Sequence, residues 1–102
     1  MAYISNTEPN TLLNGTIEDD SIWNGDNYYG GGWFVTINAL SGNDYISNYG
    51  SSVIINGDDN NDTISNNGSN VIIDGGADND VIYNLNSEST ILGGKGNDSI
   101  NY

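Results

Sequence analysis

The sequence of 102 residues predicts an all-β protein, a parallel β-solenoid or β-roll formed by a single domain of about five and a half coils. Three observations predict it. The tripeptide Asp-x-Ile recurs every 18 residues through most of the chain, a second apolar row lies nine residues after it, and Gly and Asn interrupt every half-coil. A fixed period of this length is typical of stacked repeats. Helix is disfavoured because β-branched residues fill the short segments between the Gly and Asn residues.

The first strand of each 18-residue coil, which we name half A, carries the Asp-x-Ile motif. Its copies are Asp20-Ser21-Ile22, Asp44-Tyr45-Ile46, Asp62-Thr63-Ile64, Asp80-Val81-Ile82 and Asp98-Ser99-Ile100. Ala2-Tyr3-Ile4 lies 18 residues before the first copy and keeps the Ile. Alternation along a strand predicts that the Ile points inward and the residue before it outward. An Asn follows two residues after five of the six Ile residues, and we expect these side chains to hydrogen-bond from coil to coil.

The second strand of each coil, half B, is built around another apolar row. Its segments are Thr11-Leu12-Leu13-Asn14, Val35-Thr36-Ile37-Asn38, Val53-Ile54-Ile55-Asn56, Val71-Ile72-Ile73-Asp74 and Ser89-Thr90-Ile91-Leu92. Stacked coils then give two facing parallel sheets, with six half-A strands and five half-B strands around a thin core of Ile. Ile54 and Ile72 should point outward, and a row of surface Ile suggests contact with another domain or subunit.

One irregular spacing locates a loop insertion at residues 25–34. Fifteen residues separate Asp20 from Val35, whereas nine separate Asp44 from Val53, so this Gly-rich loop contains six extra residues. Five of the ten aromatic residues lie in it or beside it: Trp23, Tyr28, Tyr29, Trp33 and Phe34. Such rings could stack on a sugar or anchor a protein partner. Alternatively they fold back and cover the edge of the core, which is the interpretation we favour.

The composition excludes several classes of function. Fourteen acidic side chains and one basic side chain give a net charge of −13, so neither nucleic acid nor an anionic membrane surface is an expected partner. No segment is apolar enough to insert into a membrane, and the first residues do not form an N-terminal secretion signal. Without His or Cys, a Ser-His-Asp triad and an ordinary zinc site are excluded. Many oxygens and few nitrogens suit a hard cation.

The turns before the half-A strands carry a glycine motif. Gly93-Gly94-Lys95-Gly96-Asn97-Asp98 matches Gly-Gly-x-Gly-x-Asp at every fixed position, Gly75-Gly76-Ala77-Asp78-Asn79-Asp80 lacks the third Gly, and the turns that end at Asp62 and Asp44 match less well. The pattern resembles the RTX (haemolysin-type) calcium-binding repeat, whose fold is a parallel β-roll. The resemblance implies a secreted bacterial protein, extracellular or on the cell surface. It also implies that Ca²⁺ binds between neighbouring turns and stabilises the folded chain.

The resemblance also implies the ligands, which are the Asp side chains and the turn carbonyls. Carried over residue by residue, the set is Asp44, Gly57, Asp62, Gly75, Gly76, Asp80, Gly93, Gly94, Gly96 and Asp98, with Asp20 as an optional further rung. Five rungs have four gaps, so up to four Ca²⁺ ions fit. In half B the residue equivalent to Asp is Val, Thr or Ser, so only one edge should bind calcium.

Three functions follow from these features, none of them enzymatic. The acidic residues form a repeating ladder, which favours a structural role over one active site. The first function is a calcium-binding structural repeat module. The second is a self-assembling solenoid that forms head-to-tail filaments through its open ends or associates through the half-B face. The third is a carbohydrate- or protein-binding module that uses the aromatic loop.

Overall fold

The computed structural model describes residues 1–86 and 88–101, which form eleven β-strands in two parallel sheets. Sheet A contains β1 (Tyr3–Asn6), β3 (Ser21–Asn24), β5 (Tyr45–Asn48), β7 (Thr63–Asn66), β9 (Val81–Asn84) and β11 (Ser99–Asn101). Sheet B contains β2 (Leu12–Asn14), β4 (Thr36–Asn38), β6 (Ile54–Asn56), β8 (Val71–Asp74) and β10 (Ser89–Leu92). The predicted all-β solenoid is therefore confirmed. Within these residues no helix is long and apolar enough to cross a membrane.

Every strand pairs with the strand one coil away, in the register of the sequence period. The strand order is β1-β3-β5-β7-β9-β11 in sheet A and β2-β4-β6-β8-β10 in sheet B. Ile22 is opposite Ile46 across the loop insertion, and Ile46 is opposite Ile64 one regular coil further on. Both the 24-residue and the 18-residue spacing thus keep the same register, so the six extra residues leave the solenoid without shifting the sheet.

The core between the sheets is built mainly from two rows of Ile, one on each sheet. The Ile rows of both sheets are completely buried, from Ile22 to Ile82 in sheet A and from Ile37 to Ile73 in sheet B. Val53 and Val71, at the start of the sheet-B segments, are 1% exposed and extend this core. Burying a side chain of this size contributes about 1.5–3 kcal/mol, so the repeated apolar rows are the main stabilising element of a small domain.

A ladder of Asn side chains closes the core at the C-terminal ends of the sheet-A strands. Each amide nitrogen donates to the Oδ1 of the Asn one coil further on, at 2.9–3.0 Å from Asn6 through Asn84. Each ladder Asn also bonds the turn that follows it: Asn48 Oδ1 accepts the N–H of Gly50, and its Nδ2 donates to the Gly50 carbonyl. The predicted Asn stack is confirmed. The position that would continue it, Tyr102, lies outside the described residues.

The loop insertion is an ordered turn. The Asp26 carboxylate accepts the N–H groups of Tyr28 and Tyr29, and the backbones of Asp26 and Gly30 exchange two hydrogen bonds. The Tyr28 and Tyr29 side chains are 84% and 80% exposed, and Trp33 and Phe34 are more than half exposed. The expectation that these rings cover the core is therefore wrong. The Asn ladder and its glycine turns already close that edge, so no apolar surface remains there for them.

Substitutions at two neighbouring residues of β8 test which face of the strand is in the core. Ile73 is completely buried, whereas Ile72 points outward and is 47% exposed. We expect Ile73→Ala to lower the free energy of unfolding by about 2–5 kcal/mol, because it removes buried methyl groups and leaves a cavity. The matched variant Ile72→Ala should cost less than about 1 kcal/mol. Urea unfolding in one buffer measures both, and equal losses would contradict the assigned strand faces.

The Asn ladder has its own test. Asn66 is completely buried and bonds Asn48, Asn84 and both backbone groups of Gly68. Asn66→Ala leaves those groups without partners in the core, so we expect it to cost about 2–4 kcal/mol. Asn61, which is exposed and accepts one N–H from Asn79, provides the control. Asn61→Ala should change the urea midpoint little, and a comparable shift would contradict the ladder's role.

Candidate metal centre

The Asp residues of the Asp-x-Ile motif form a buried row at the N-terminal ends of the sheet-A strands. Asp20 and Asp44 are 3% exposed and Asp62 and Asp80 are 1% exposed, while Asp98 in the last coil is half-buried. They take the place in half A that the buried Val residues take in half B. The carboxylates therefore lie along the core rather than in solvent at the edge.

One oxygen of each carboxylate links two coils. Asp62 Oδ1 accepts the backbone N–H of Asp44 at 2.8 Å, and Asp80 Oδ1 accepts that of Asp62 at 2.8 Å. The same bond joins Asp44 to Asp20 and Asp98 to Asp80. The backbone N–H of each of these Asp residues thus donates to the Asp carboxylate of the next coil, which takes the place of a backbone carbonyl as the acceptor. The Asp row is therefore part of the backbone hydrogen bonding of the solenoid.

The second oxygen separates the rungs into two kinds. The Oδ2 atoms of Asp44, Asp62 and Asp80 are buried without a hydrogen-bond partner among the described residues. Asp20 differs, because its Oδ2 accepts the Thr16 N–H at 2.6 Å and the Thr16 hydroxyl at 2.9 Å. Thr16 was not among the predicted site residues, although a Thr at a place where the best copies of the motif have Gly was a visible signal.

The acidity of the carboxylates follows this division. Burial raises the pKa of Asp62 to about 8, and the neighbouring charges of Asp44 and Asp80 add to it. Burial likewise raises the pKa of Asp44 to about 7 and that of Asp80 to about 6. Burial alone would also raise the pKa of Asp20, but the hydrogen bonds from Thr16 and Ala2 outweigh it and hold the value below its usual range. Three adjacent rungs thus resist carrying a charge.

The turn geometry explains the second and fourth positions of the glycine motif. At the second position the backbone has positive φ at Leu40, Asp58, Gly76 and Gly94, and at the fourth position at Gly42, Asn60, Asp78 and Gly96. Positive φ strains residues that have a Cβ, and Gly adopts it freely. The backbone conformation therefore favours Gly76, Gly94 and Gly96, although Leu40, Asp58, Asn60 and Asp78 adopt it at the equivalent positions of other coils. Their place in the motif does not depend on a bound ion.

The first position of the motif is glycine for a different reason. A Cβ added to Gly57 would lie 2.7 Å from Asp62 Oδ2 and 2.6 Å from the Gly75 carbonyl oxygen. A Cβ added to Gly75 would lie 2.7 Å from Asp80 Oδ2 and 2.8 Å from the next carbonyl oxygen, that of Gly93. In each case two oxygens converge on the space that glycine leaves open. One belongs to the Asp carboxylate of the same turn, and the other to a backbone carbonyl of the following coil.

These donors fit a hard cation at two of the four gaps. Ca²⁺ takes carboxylate and carbonyl oxygens, and those are the atoms that converge beside Gly57 and Gly75. The gap between Asp44 and Asp62 differs because Ala39, a completely buried residue with a Cβ, stands at the first position. In the gap between Asp20 and Asp44, the Asp20 Oδ2 beside Gly15 already accepts a hydrogen bond from Thr16. Across residues 1–86 and 88–101 no three acidic side chains converge as a metal-binding group. An ion here would therefore depend on backbone carbonyls and water for most of its ligands.

The buried carboxylates predict how stability depends on pH. Without metal, burial raises the pKa of Asp44 to about 7, that of Asp62 to about 8 and that of Asp80 to about 6, whereas an Asp in the unfolded chain has a pKa of about 3.8. Between these limits the folded chain binds more protons than the unfolded chain, so the free energy of unfolding should fall as pH rises. Urea unfolding in EDTA at pH 5 and pH 8 measures this change.

Surface repulsion also grows with pH, so matched variants are needed to isolate the buried row. Asp62→Asn removes a buried titrating group and keeps the Oδ1 acceptor, whereas Asp59→Asn removes an exposed charge from the same turn. The loss of stability between pH 5 and pH 8 should be smaller in Asp62→Asn than in the parent, and unchanged in Asp59→Asn. Equal pH dependence in all three proteins would contradict the assignment.

Comparison with models of known protein families, with curated protein sequences and with solved structures found no match. The resemblance to RTX repeats therefore depends on the glycine motif and the 18-residue period alone. What supports a function for this chain is the chemistry of its own residues, above all the three buried oxygens of the Asp row that have no partner among the described residues.

Proposed function

We propose that this chain is a non-enzymatic calcium-binding structural repeat module of a secreted protein, in which Ca²⁺ bound between coils along one edge stabilises the fold. The observation that carries the proposal is the row of unpartnered, buried carboxylate oxygens on Asp44, Asp62 and Asp80. A polar atom buried without a partner costs free energy, and a buried charge costs more. Three such atoms in successive coils require a neutralising partner.

The charge of the chain leaves few candidates for that partner. Strands of neighbouring coils lie about 4.8 Å apart. Two ionised carboxylates at that distance repel each other by about 3.5 kcal/mol at an effective dielectric constant of about 20. The only basic side chain, Lys95, belongs to the last coil and cannot serve the whole row. The row must therefore be neutralised by protons or by cations from solution, and above about pH 8 protons no longer suffice.

Two rungs have the donors that an ion between coils would need. Asp62 faces the space beside Gly57 together with the Gly75 carbonyl, and Asp80 faces the space beside Gly75 together with the Gly93 carbonyl. Ca²⁺ supplies positive charge and accepts both kinds of oxygen. Asp20 has its oxygens engaged by Thr16 and Ala2, and Ala39 has a Cβ where the other two turns have the open glycine space. We therefore propose two ions rather than the four that the spacing allows.

A structural rather than catalytic role follows from where the carboxylates lie. Asp62 and Asp80 are 1% exposed, so a substrate would have no access to them. Each carboxylate also accepts a backbone N–H of the preceding coil, that of Asp44 for Asp62 and that of Asp62 for Asp80, which fixes it in place. Asp59 and Asp78, two other acidic residues of the turns, are exposed, and they attract cations to this edge without burying their own charge.

Calorimetric titration with CaCl₂ at pH 8, after removal of metal with EDTA, tests the proposal. We expect about two ions per chain, with a rise in melting temperature and an affinity that falls between pH 8 and pH 5 because protons compete for the same oxygens. Asp62→Asn and Asp80→Asn keep the coil-to-coil hydrogen bond and should each weaken calcium binding by at least about tenfold. The control Asp59→Asn should leave the affinity within about twofold.

Two outcomes would contradict the proposal. One is the absence of both binding heat and thermal stabilisation by Ca²⁺ at pH 8. The other is a Ca²⁺ response that is the same in Asp62→Asn, Asp80→Asn and Asp59→Asn, which would place the ions on the exposed acidic turns. Stabilisation of the metal-free protein by Asp62→Asn at pH 8, without any effect of Ca²⁺ on the parent, would instead assign the neutralisation of the row to protons.

A further inference from the structure

A cleft of about 320 Å³ lies on the outer face of sheet A, beside the start of the loop insertion. Side chains of β1 and β3 and the first turn of the loop line it, among them Tyr3, Ser5, Thr7, Trp23 and Asp26. Asn6, a member of the Asn ladder, also borders it. The cleft therefore extends along the outer side of β1 and β3 from Tyr3 to the turn that begins the loop, whereas the carboxylates of the Asp row are buried. The Trp33 and Phe34 rings of the loop do not line it.

Aromatic rings form one wall of the cleft. Tyr3 and Trp23 lie on paired strands, where Ser5 is opposite Trp23 and Tyr3 is opposite Ser21. The Tyr3 side chain is 70% exposed. The Trp23 indole is held in place, since its Nε1–H donates to the Ser21 hydroxyl at 2.9 Å and its ring centroid lies 5.7 Å from that of Tyr45. A ring held in this way loses little further side-chain entropy when a ligand binds to its apolar surface.

Hydrogen-bond acceptors form the other side. Asp26 Oδ1 accepts the N–H groups of Tyr28 and Tyr29 at 2.9 and 2.7 Å, which orients the carboxylate. Within residues 1–86 and 88–101 no group donates to its other oxygen, Oδ2, which leaves that atom for a ligand. The hydroxyls of Ser5 and Thr7 stand nearby in the same cleft. None of the lining side chains is basic.

We propose that this cleft binds a neutral carbohydrate, with a pyranose ring stacked on Trp23 and Tyr3 and its hydroxyl groups donating to Asp26 Oδ2. Sugars combine an apolar C–H face with hydroxyl donors, and the cleft offers aromatic surface beside a carboxylate acceptor. The chain has a net charge of −13 and the cleft has no basic side chain in its lining, so phosphorylated, sulfated and uronic acid ligands are repelled. The volume is at the lower end of the range for small-molecule sites, which suits one ring of a longer glycan.

This inference does not depend on calcium binding, and its test keeps the two apart. Soluble cellohexaose, laminarihexaose, mannohexaose and chitohexaose are titrated into the full chain by calorimetry, once with CaCl₂ and once with EDTA. Oligogalacturonate is the anionic counter-probe, and tetramethylammonium chloride is the cationic one. We expect at least one neutral hexasaccharide to bind with a Kd below about 10 mM, and its binding should produce an enthalpy change and a change in Trp fluorescence. Neither counter-probe should bind.

Variants assign the binding to the cleft. Trp23→Ala should weaken it by at least about tenfold, and Trp23→Phe, which keeps a ring, by less. Asp26→Asn keeps the acceptor for the loop N–H groups and replaces Oδ2 with a donor, so it should also weaken binding. The matched control is Trp33→Ala, which removes a Trp that is 53% exposed outside the cleft and should change the affinity by less than about twofold. Tyr3→Ala provides a second test if Trp23→Ala disturbs the fold.

Several results would overturn the inference. Binding of tetramethylammonium without binding of any neutral hexasaccharide would identify an organic cation as the ligand. Absence of binding by all four glycans at about 10 mM would leave the cleft without the proposed ligand class. An equal loss of affinity in Trp33→Ala and Trp23→Ala would move the site to the exposed loop.

Discussion

The structure depends on one constraint, which is that each residue of a coil stacks on its equivalent in the next coil. A parallel in-register stack repeats every side chain at about 4.8 Å, so a polar group inside it must find its partner in a copy of itself. Asn satisfies this requirement because its amide both donates and accepts. In the Asn48–Asn66 step the amide nitrogen of one residue meets the oxygen of the other at 2.9 Å, and the turn glycine uses the remaining capacity. Such a ladder is neutral and complete.

An ionised Asp cannot satisfy the same constraint because it only accepts. Asp62 obtains one donor from the backbone of the preceding coil, and its second oxygen has no partner among the described residues. An Asn at this position would bond the same N–H without a charge, so a fold selected for stability alone has little reason to keep three buried Asp residues. Asp20 supports this argument by contrast. Thr16 supplies its missing donors, and its pKa stays low where those of its neighbours rise. The rungs that lack such a donor include the two, Asp62 and Asp80, at which we propose a calcium ion.

The period made most of the fold predictable, since one repeat determines all the others. Strand positions, parallel register, the Ile core, the Asn ladder and the displacement of residues 25–34 all follow from aligning equivalent residues. The environment of the Asp row did not follow in the same way. Alternation puts Asp62 on the same face as Ile64, but it does not predict that the carboxylate is buried and accepts the backbone N–H of Asp44. The exposed rings of Tyr28 and Tyr29 were unpredictable because a loop has no period to constrain it.

The proposed calcium positions and the proposed carbohydrate cleft lie in different parts of the solenoid. They can coexist because the Asp near the cleft has hydrogen-bond donors from the protein, whereas Asp62 and Asp80 each have a carboxylate oxygen without one. The cleft lies on β1 and β3, where the coil edge is closed by Asp20 with donors from Thr16 and Ala2. The coils that contain Asp62 and Asp80 lie further along the stack and have the open glycine spaces. Stability in a solenoid is a sum of each coil and its contacts with neighbours. If cations bind at the distant rungs as we propose, they order that part of the stack, while the coils that form the cleft depend on protein donors. Ligand binding at the cleft should then persist in chelator to the extent that β1 to β5 fold without the metal-dependent coils.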